Sequence, residues 1–200
     1  TRAGIGDDNK VMTQGVSMLM EWNASDAVTL KSITAYREGK TDTDIDFDST
    51  ALPVLDIPAF YEDDQFTQEF QLLYNTDRLQ AVVGLYYLDG YAAGAFDTVL
   101  GVANFTTLTS GSVKTKSYAA FADINYDIND RLSLSVGGRF TRDEKAGEVY
   151  RATYIGIRSP TFGNPDAIFF QERTNYSRKR AFEEFTPRFG LNYDFSEDVM

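Results

Sequence analysis

The chain has 200 residues, 42% apolar and 24% charged, which in principle is enough for one domain with a core of its own, so composition does not mark it as disordered. It contains no cysteine and no histidine, which excludes disulfide frameworks, thiolate or imidazole zinc sites, thiol catalysis and histidine-based triads. Thirty acids against 19 bases give a net charge of −11, the wrong sign for a general nucleic-acid binder, while 15 Phe, 12 Tyr and 15 Gly beside 5 Pro favour strands and turns.

Thr1 to Asp8 carry neither a basic n-region nor an apolar h-region, so no export signal is read there. No run of 18 apolar residues occurs, which removes a spanning helix and leaves a membrane β-barrel open. In chain order, strands are expected at about Val11 to Trp22, Val28 to Arg37, Asp64 to Tyr74, Leu79 to Tyr91, Val113 to Tyr126, Arg131 to Thr141 and Glu184 to Phe195. The last two show the period most cleanly. Leu132, Leu134, Val136, Gly138 and Phe140 alternate with small or polar residues, and Phe185, Pro187, Phe189, Leu191, Tyr193 and Phe195 do the same. Pro187 lacks a backbone donor and argues for a bulge or a rim position at that point. An eighth strand is expected to begin at Val199-Met200, so the chain reads as a piece of a longer protein.

Short polar turns are expected at residues 23–26, 75–78 and 127–130, and at Ser196-Glu197-Asp198. Between the hairpins lie much longer segments, about Glu38 to Asp63, Ala92 to Ser112 and Arg142 to Arg180. Short and long connections alternate strictly. A soluble sandwich has no reason to put every long connection at one end, whereas an outer-membrane barrel has short periplasmic turns and long extracellular loops. Strands of ten or more residues also match the roughly 9–11 needed to cross a bilayer at a tilt. If the charged face of the last strand met lipid, an arginine near the midplane would cost about 2–4 kcal/mol, so Glu184, Arg188 and Asp194 are assigned to the lumen.

The stretch from Tyr118 to Tyr126, the turn after it and RLSLSVGGRFTRDEK from Arg131 to Lys145 together resemble the barrel of TonB-dependent outer-membrane receptors. The matching features are Gly137, Arg139, Phe140, Thr141, an acid at Asp143 or Glu144, and Lys145, followed later by Thr186-Pro187-Arg188-Phe189. Weaker echoes are Ser32 to Arg37, Phe66 to Phe70 and Gly84 to Leu88. The resemblance implies an all-β, antiparallel transmembrane barrel of about 22 strands around a plug, of which residues 1–200 would supply seven or eight and no plug. It also implies location in a Gram-negative outer membrane and import of a scarce nutrient, most naturally a ferric siderophore, driven by the TonB energy-coupling complex. Outer-membrane lipid and lipopolysaccharide are the implied surroundings. The alternative is a passive porin-like, structural or adhesive barrel. No catalytic residue and no cofactor is assigned, and the chain is read as a non-enzyme.

Candidate residues fall into five groups. Arg151, Arg158 and Arg173 in the third long segment are candidates for an anionic ligand, through charge-assisted hydrogen bonds. Arg178, Lys179 and Arg180 beside them are read as rim bases against lipopolysaccharide phosphates. Glu69, Arg139, Glu184 and Arg188 are expected to face the lumen, touching the plug or lining the path. Trp22, Tyr74, Tyr126 and Tyr193, near the short turns, fit an interfacial aromatic girdle. The run Asp42-x-Asp44-x-Asp46-x-Asp48 invites a calcium reading but fails as an EF-hand. Phe47 stands where glycine is needed and Pro53 where the bidentate acid is needed. It is read as the acidic face of an extended strand, and no metal site is assigned.

Overall fold

The structure, a computed structural model, describes residues 6, 8–50, 52 and 54–195. Seven strands form one antiparallel sheet in simple sequence order: β1 (Asn9–Asn23), β2 (Val28–Asp46), β3 (Asp56–Asn75), β4 (Leu79–Leu100), β5 (Phe105–Asn129), β6 (Leu132–Ile155) and β7 (Ile168–Tyr193). β1 and β7 each pair with a single neighbour, so the sheet is open. The eighth strand expected at Val199-Met200, the turn before it and Pro53 lie outside the described residues.

The three short turns form as expected. Asn129 Oδ1 accepts the Arg131 amide at 2.9 Å, Thr76 Oγ1 accepts the Leu79 amide at 3.2 Å, and Ser25 Oγ accepts the amides of Ala27 and Val28. Side chains that bond their own turn backbone replace ladder partners lost at the strand ends.

The opposite ends differ from expectation. The segments read as long loops are mostly strand, because β2 to β7 run on as tall hairpins that leave connections only at residues 47–55, 101–104 and 156–167. β5 has 25 residues and β6 has 24, well over the roughly 9–11 that cross a bilayer. Where both faces of a sheet meet water nothing imposes an apolar period of two, so the period lapses there while the backbone ladder continues. Pro187 is also more regular than expected. The register runs unbroken through Gly138↔Pro187, and the irregularities on β7 fall far away, opposite Arg151–Tyr154.

Register fixes the two faces. One face of the lower half carries Trp22, Leu72, Tyr74, Val83, Leu85, Tyr118, Ile124, Tyr126, Val136, Phe140, Phe185, Phe189 and Tyr193, linked by pairs such as Val28↔Tyr74, Leu79↔Tyr126 and Val136↔Phe189. These side chains stand open, Val83 at 51%, Leu85 at 60% and Phe189 at 77% exposure. A monomeric soluble protein does not display such a continuous apolar field. All four girdle aromatics lie on it. The other face carries Glu21, Lys31, Glu69, Gln71, Gln80, Asp123, Asn125, Ser135, Arg139 and Arg188, though Ile33, Val82 and Phe121 share it.

Packing on the polar face centres on Gly84. The Phe121 ring lies on it so closely that a Cβ there would come within 2.2 Å of the ring. The Arg139 guanidinium then stacks 5.6 Å from Phe121 and 5.5 Å from Tyr86. Gly84→Val in the full-length barrel is expected to displace Phe121, dismantle this stack and lower stability by about 1–3 kcal/mol through overpacking. A urea midpoint unchanged from wild type would contradict this.

Candidate functional site

The polar face gathers two of the three candidate arginines at the tall end of the sheet. Arg151 lies on β6 and Arg173 on β7, where Arg151 pairs with Thr174 and Ala152 with Glu172, leaving Arg173 as an extra, bulged residue. A bulge re-aims a side chain that regular alternation would send elsewhere. Arg173 Nε accordingly reaches Thr153 Oγ1 at 3.4 Å on the neighbouring strand. The two arginines and Thr107, Thr153 and Thr174 line a cavity of about 400 Å³. Thr107 and Thr153 hydroxyls also meet across the strands at 3.3 Å. Two exposed guanidiniums over a floor of hydroxyls present fixed N–H donors and no carboxylate, a set suited to an anion. The threonines gave no signal in the sequence; only register across three strands brings them together.

Arg158 goes elsewhere. It sits in the 156–167 connection in the left-handed region, φ 70°, on the opposite side of the sheet from this cavity. There the connection is pinned to the tall hairpins. The Ser159 amide donates to Asp97 Oδ2 at 2.6 Å, Thr106 Oγ1 donates to the Gly156 carbonyl at 2.7 Å and accepts the Arg158 amide at 3.0 Å, and Phe162 packs on Phe60 at 5.6 Å. Asp97, Thr106 and Ser159 are fully buried beneath it. Burial pushes the Asp97 carboxyl above its usual range, while the Ser159 amide and Arg158 draw it back. Tyr154 beside this patch is pushed up to about 12, first by burial and then by its hydrogen bond with Tyr150. Arg158 thus serves the packing of the connection against buried acid.

The other four candidates share the polar face in the lower half. Arg188 Nη1 pairs with Asp123 Oδ2 at 3.2 Å, Glu69 accepts a hydrogen bond from Gln71, Arg139 is held by the aromatic stack and donates from Nε to Thr141 Oγ1 at 3.1 Å, and Glu184 stands opposite Thr141. Three of the four are engaged with neighbours in the wall. The rim bases split. Lys179 pairs with Ala146 on the apolar side, whereas Arg178 and Arg180 alternate onto the polar side.

The family model for the β-barrel of TonB-dependent receptor-like proteins matches residues 3–200. The chain belongs to the TonB-dependent receptor β-barrel family. Among solved structures, the ferric yersiniabactin uptake receptor FyuA from Yersinia pestis is similar with a TM-score of 0.76 at 14% identity, over 94% of this chain and 27% of that one. No curated protein sequence matches. The chain therefore spans about a quarter of the length of that receptor and shares its fold.

The lower, aromatic-rimmed half has the dimensions that crossing a bilayer requires, the stretch from Tyr118 to Tyr126 being of the necessary length. Just beyond Tyr87 and Tyr118 the apolar side turns charged. Lys116 pairs with Asp89 at 3.5 Å, and Arg142 bridges Glu144 at 2.9 Å and Glu183 at 3.1 Å. Lys114 and Lys179 extend this row on the same side.

Proposed function

We propose that this chain is a wall section of an outer-membrane receptor that imports an anionic ferric siderophore by TonB-coupled uptake. The observation that carries the substrate class is the Arg151–Arg173 cavity with its threonine floor, on the polar face at the tall end of the hairpins. In the family's orientation that end is extracellular and that face lines the entrance, where a catecholate or carboxylate iron chelate would first meet the protein. Below it, Glu69, Arg139, Glu184 and Arg188 line the path or touch the plug. The likeness to a ferric yersiniabactin uptake receptor agrees with this reading. Coupling to TonB belongs to the plug, and residues 1–200 supply barrel wall alone. Lys114, Lys116 and Lys179, facing outward just above the aromatic row, suit the phosphates of lipopolysaccharide, with outer-membrane lipid below.

The test is uptake of iron-55 delivered as anionic catecholate, anionic carboxylate and neutral chelates, compared in wild-type, receptor-deletion and TonB-deletion strains. Loss of uptake for at least one anionic chelate is expected in both deletion strains. Uptake of every chelate unchanged on receptor deletion would overturn the siderophore assignment, and uptake that survives TonB deletion would favour a passive pore.

A further inference from the structure

We propose that Asp46, Asp48 and Asp56 form a divalent-cation site, with calcium as its occupant, at the tall end of the β2–β3 hairpin. One carboxylate oxygen from each residue lies within 4.8 Å of the others. Oxygens that share a calcium ion at 2.3–2.6 Å are at most about 5 Å apart, so the three fit around one ion. Asp56 is decisive. It is 1% exposed, and its Oδ2 has no hydrogen-bond partner among the described residues. A buried carboxylate oxygen left without a donor is rare in a folded protein and calls for a compensating group.

The surroundings favour a cation over a proton. Asp46 and Asp56 stand directly opposite each other in the register, an arrangement of like charges that destabilises a sheet unless something lies between them. Asp48 is locked in place, its Oδ2 accepting the Leu55 amide at 2.7 Å and its Oδ1 the Thr50 amide at 3.0 Å, while Asp46 Oδ1 accepts the Ser49 amide at 2.8 Å. Those bonds leave each carboxylate further lone pairs. Among the described residues, Arg158 of the 156–167 connection is the cation whose charge acts on Asp56 and on Asp97, while Asp44, Asp46 and Asp48 add like charge around Asp56. An ion bound among the three would offset the repulsion between the facing carboxylates.

The donor set selects the metal. Carboxylates in a chain without histidine or cysteine suit a hard cation. Magnesium keeps most of its water and takes one or two carboxylates, whereas calcium accepts three or more in flexible geometry, with water completing the shell. The site differs from the EF-hand pattern rejected from the sequence. It uses the end of the aspartate run, and its third carboxylate comes from the next strand.

The experiment is calorimetric titration of the full-length receptor in detergent with calcium chloride and with magnesium chloride, alongside D56N and D46N. Wild type is expected to bind calcium with a Kd on the order of 0.1–1 mM, in the range of extracellular calcium modules, and magnesium about tenfold more weakly or worse. Both variants are expected to lose this site by tenfold or more while keeping the heat-modifiable electrophoretic mobility of a folded barrel. If D56N does not fold, D46N carries the comparison. Absence of saturable calcium binding below about 10 mM in wild type, wild-type affinity in a folded variant, or equal affinity for magnesium would each overturn the assignment.

Discussion

Replacing Val83 by arginine is expected to lower the folding stability of the full-length receptor in phospholipid vesicles by about 2–4 kcal/mol, and to remove most of the protein from the outer membrane. Val83 is central in the stretch Leu79 to Tyr87, pairs with Leu72 and Ala122, and belongs to the open apolar face. In the barrel this places it near the bilayer midplane, where no water reaches a guanidinium and no carboxylate on that face lies close in register. Its neighbour Val82 points the other way, opposite Leu73 and Asp123. Val82→Arg therefore puts the same charge on the polar face beside an acid, and a change of less than about 1 kcal/mol is expected there. The pair tests the face assignment directly, since helix-like or two-sided burial would make both changes costly. Equal urea midpoints for the two variants would contradict it.

How far the sequence could be read follows from the same membrane logic. Where one face meets lipid, alternation is imposed on every strand, so Phe185, Phe189 and Leu191 opposite Glu184, Arg188 and Asn192 announce both strand and orientation. The short turns were legible because Ser25, Thr76 and Asn129 bond their own backbone. Beyond the aromatic row that pressure is absent. Residues such as Thr106 to Ser112 and Ala146 to Tyr154 extend the ladder without a periodic pattern, and they read as loop although they are strand. The site was half legible for a related reason. Composition identifies Arg151 and Arg173, but their meeting depends on a register shift opposite Arg151, which no local pattern encodes. Arg158 has the same composition signal and a different fate, because a left-handed backbone and the buried Asp97 turn its segment onto the other side of the sheet. Asp56 gave no signal at all: it is an isolated acid in sequence and acquires its neighbours only through pairing with Asp46.

The second large effect concerns the arginine pair. Replacing Arg151 and Arg173 together by alanine is expected to weaken binding of an anionic ferric chelate to the full-length receptor on the order of 100-fold. A hydrogen bond to a charged partner contributes about 1.5–3 kcal/mol, and both guanidiniums are exposed, so the lower figure applies to each and the two sum to about 3 kcal/mol. That is roughly two powers of ten in Kd. Single variants separate the roles. Arg151 projects from a regular strand, whereas Arg173 is aimed by the bulge and by its contact with Thr153, so Thr153→Val should cost Arg173 its anchor and weaken binding by a smaller factor of about 2–5, within the net worth of one hydrogen bond. Substituting both arginines by lysine keeps the charge and loses the planar fork, so it should restore part of the affinity and steepen its dependence on salt. Chelate titration by quenching of intrinsic fluorescence measures each of these variants. A double alanine variant that bound the anionic chelate as tightly as wild type would remove this cavity from the ligand path, because nothing else about the wall changes with those two side chains.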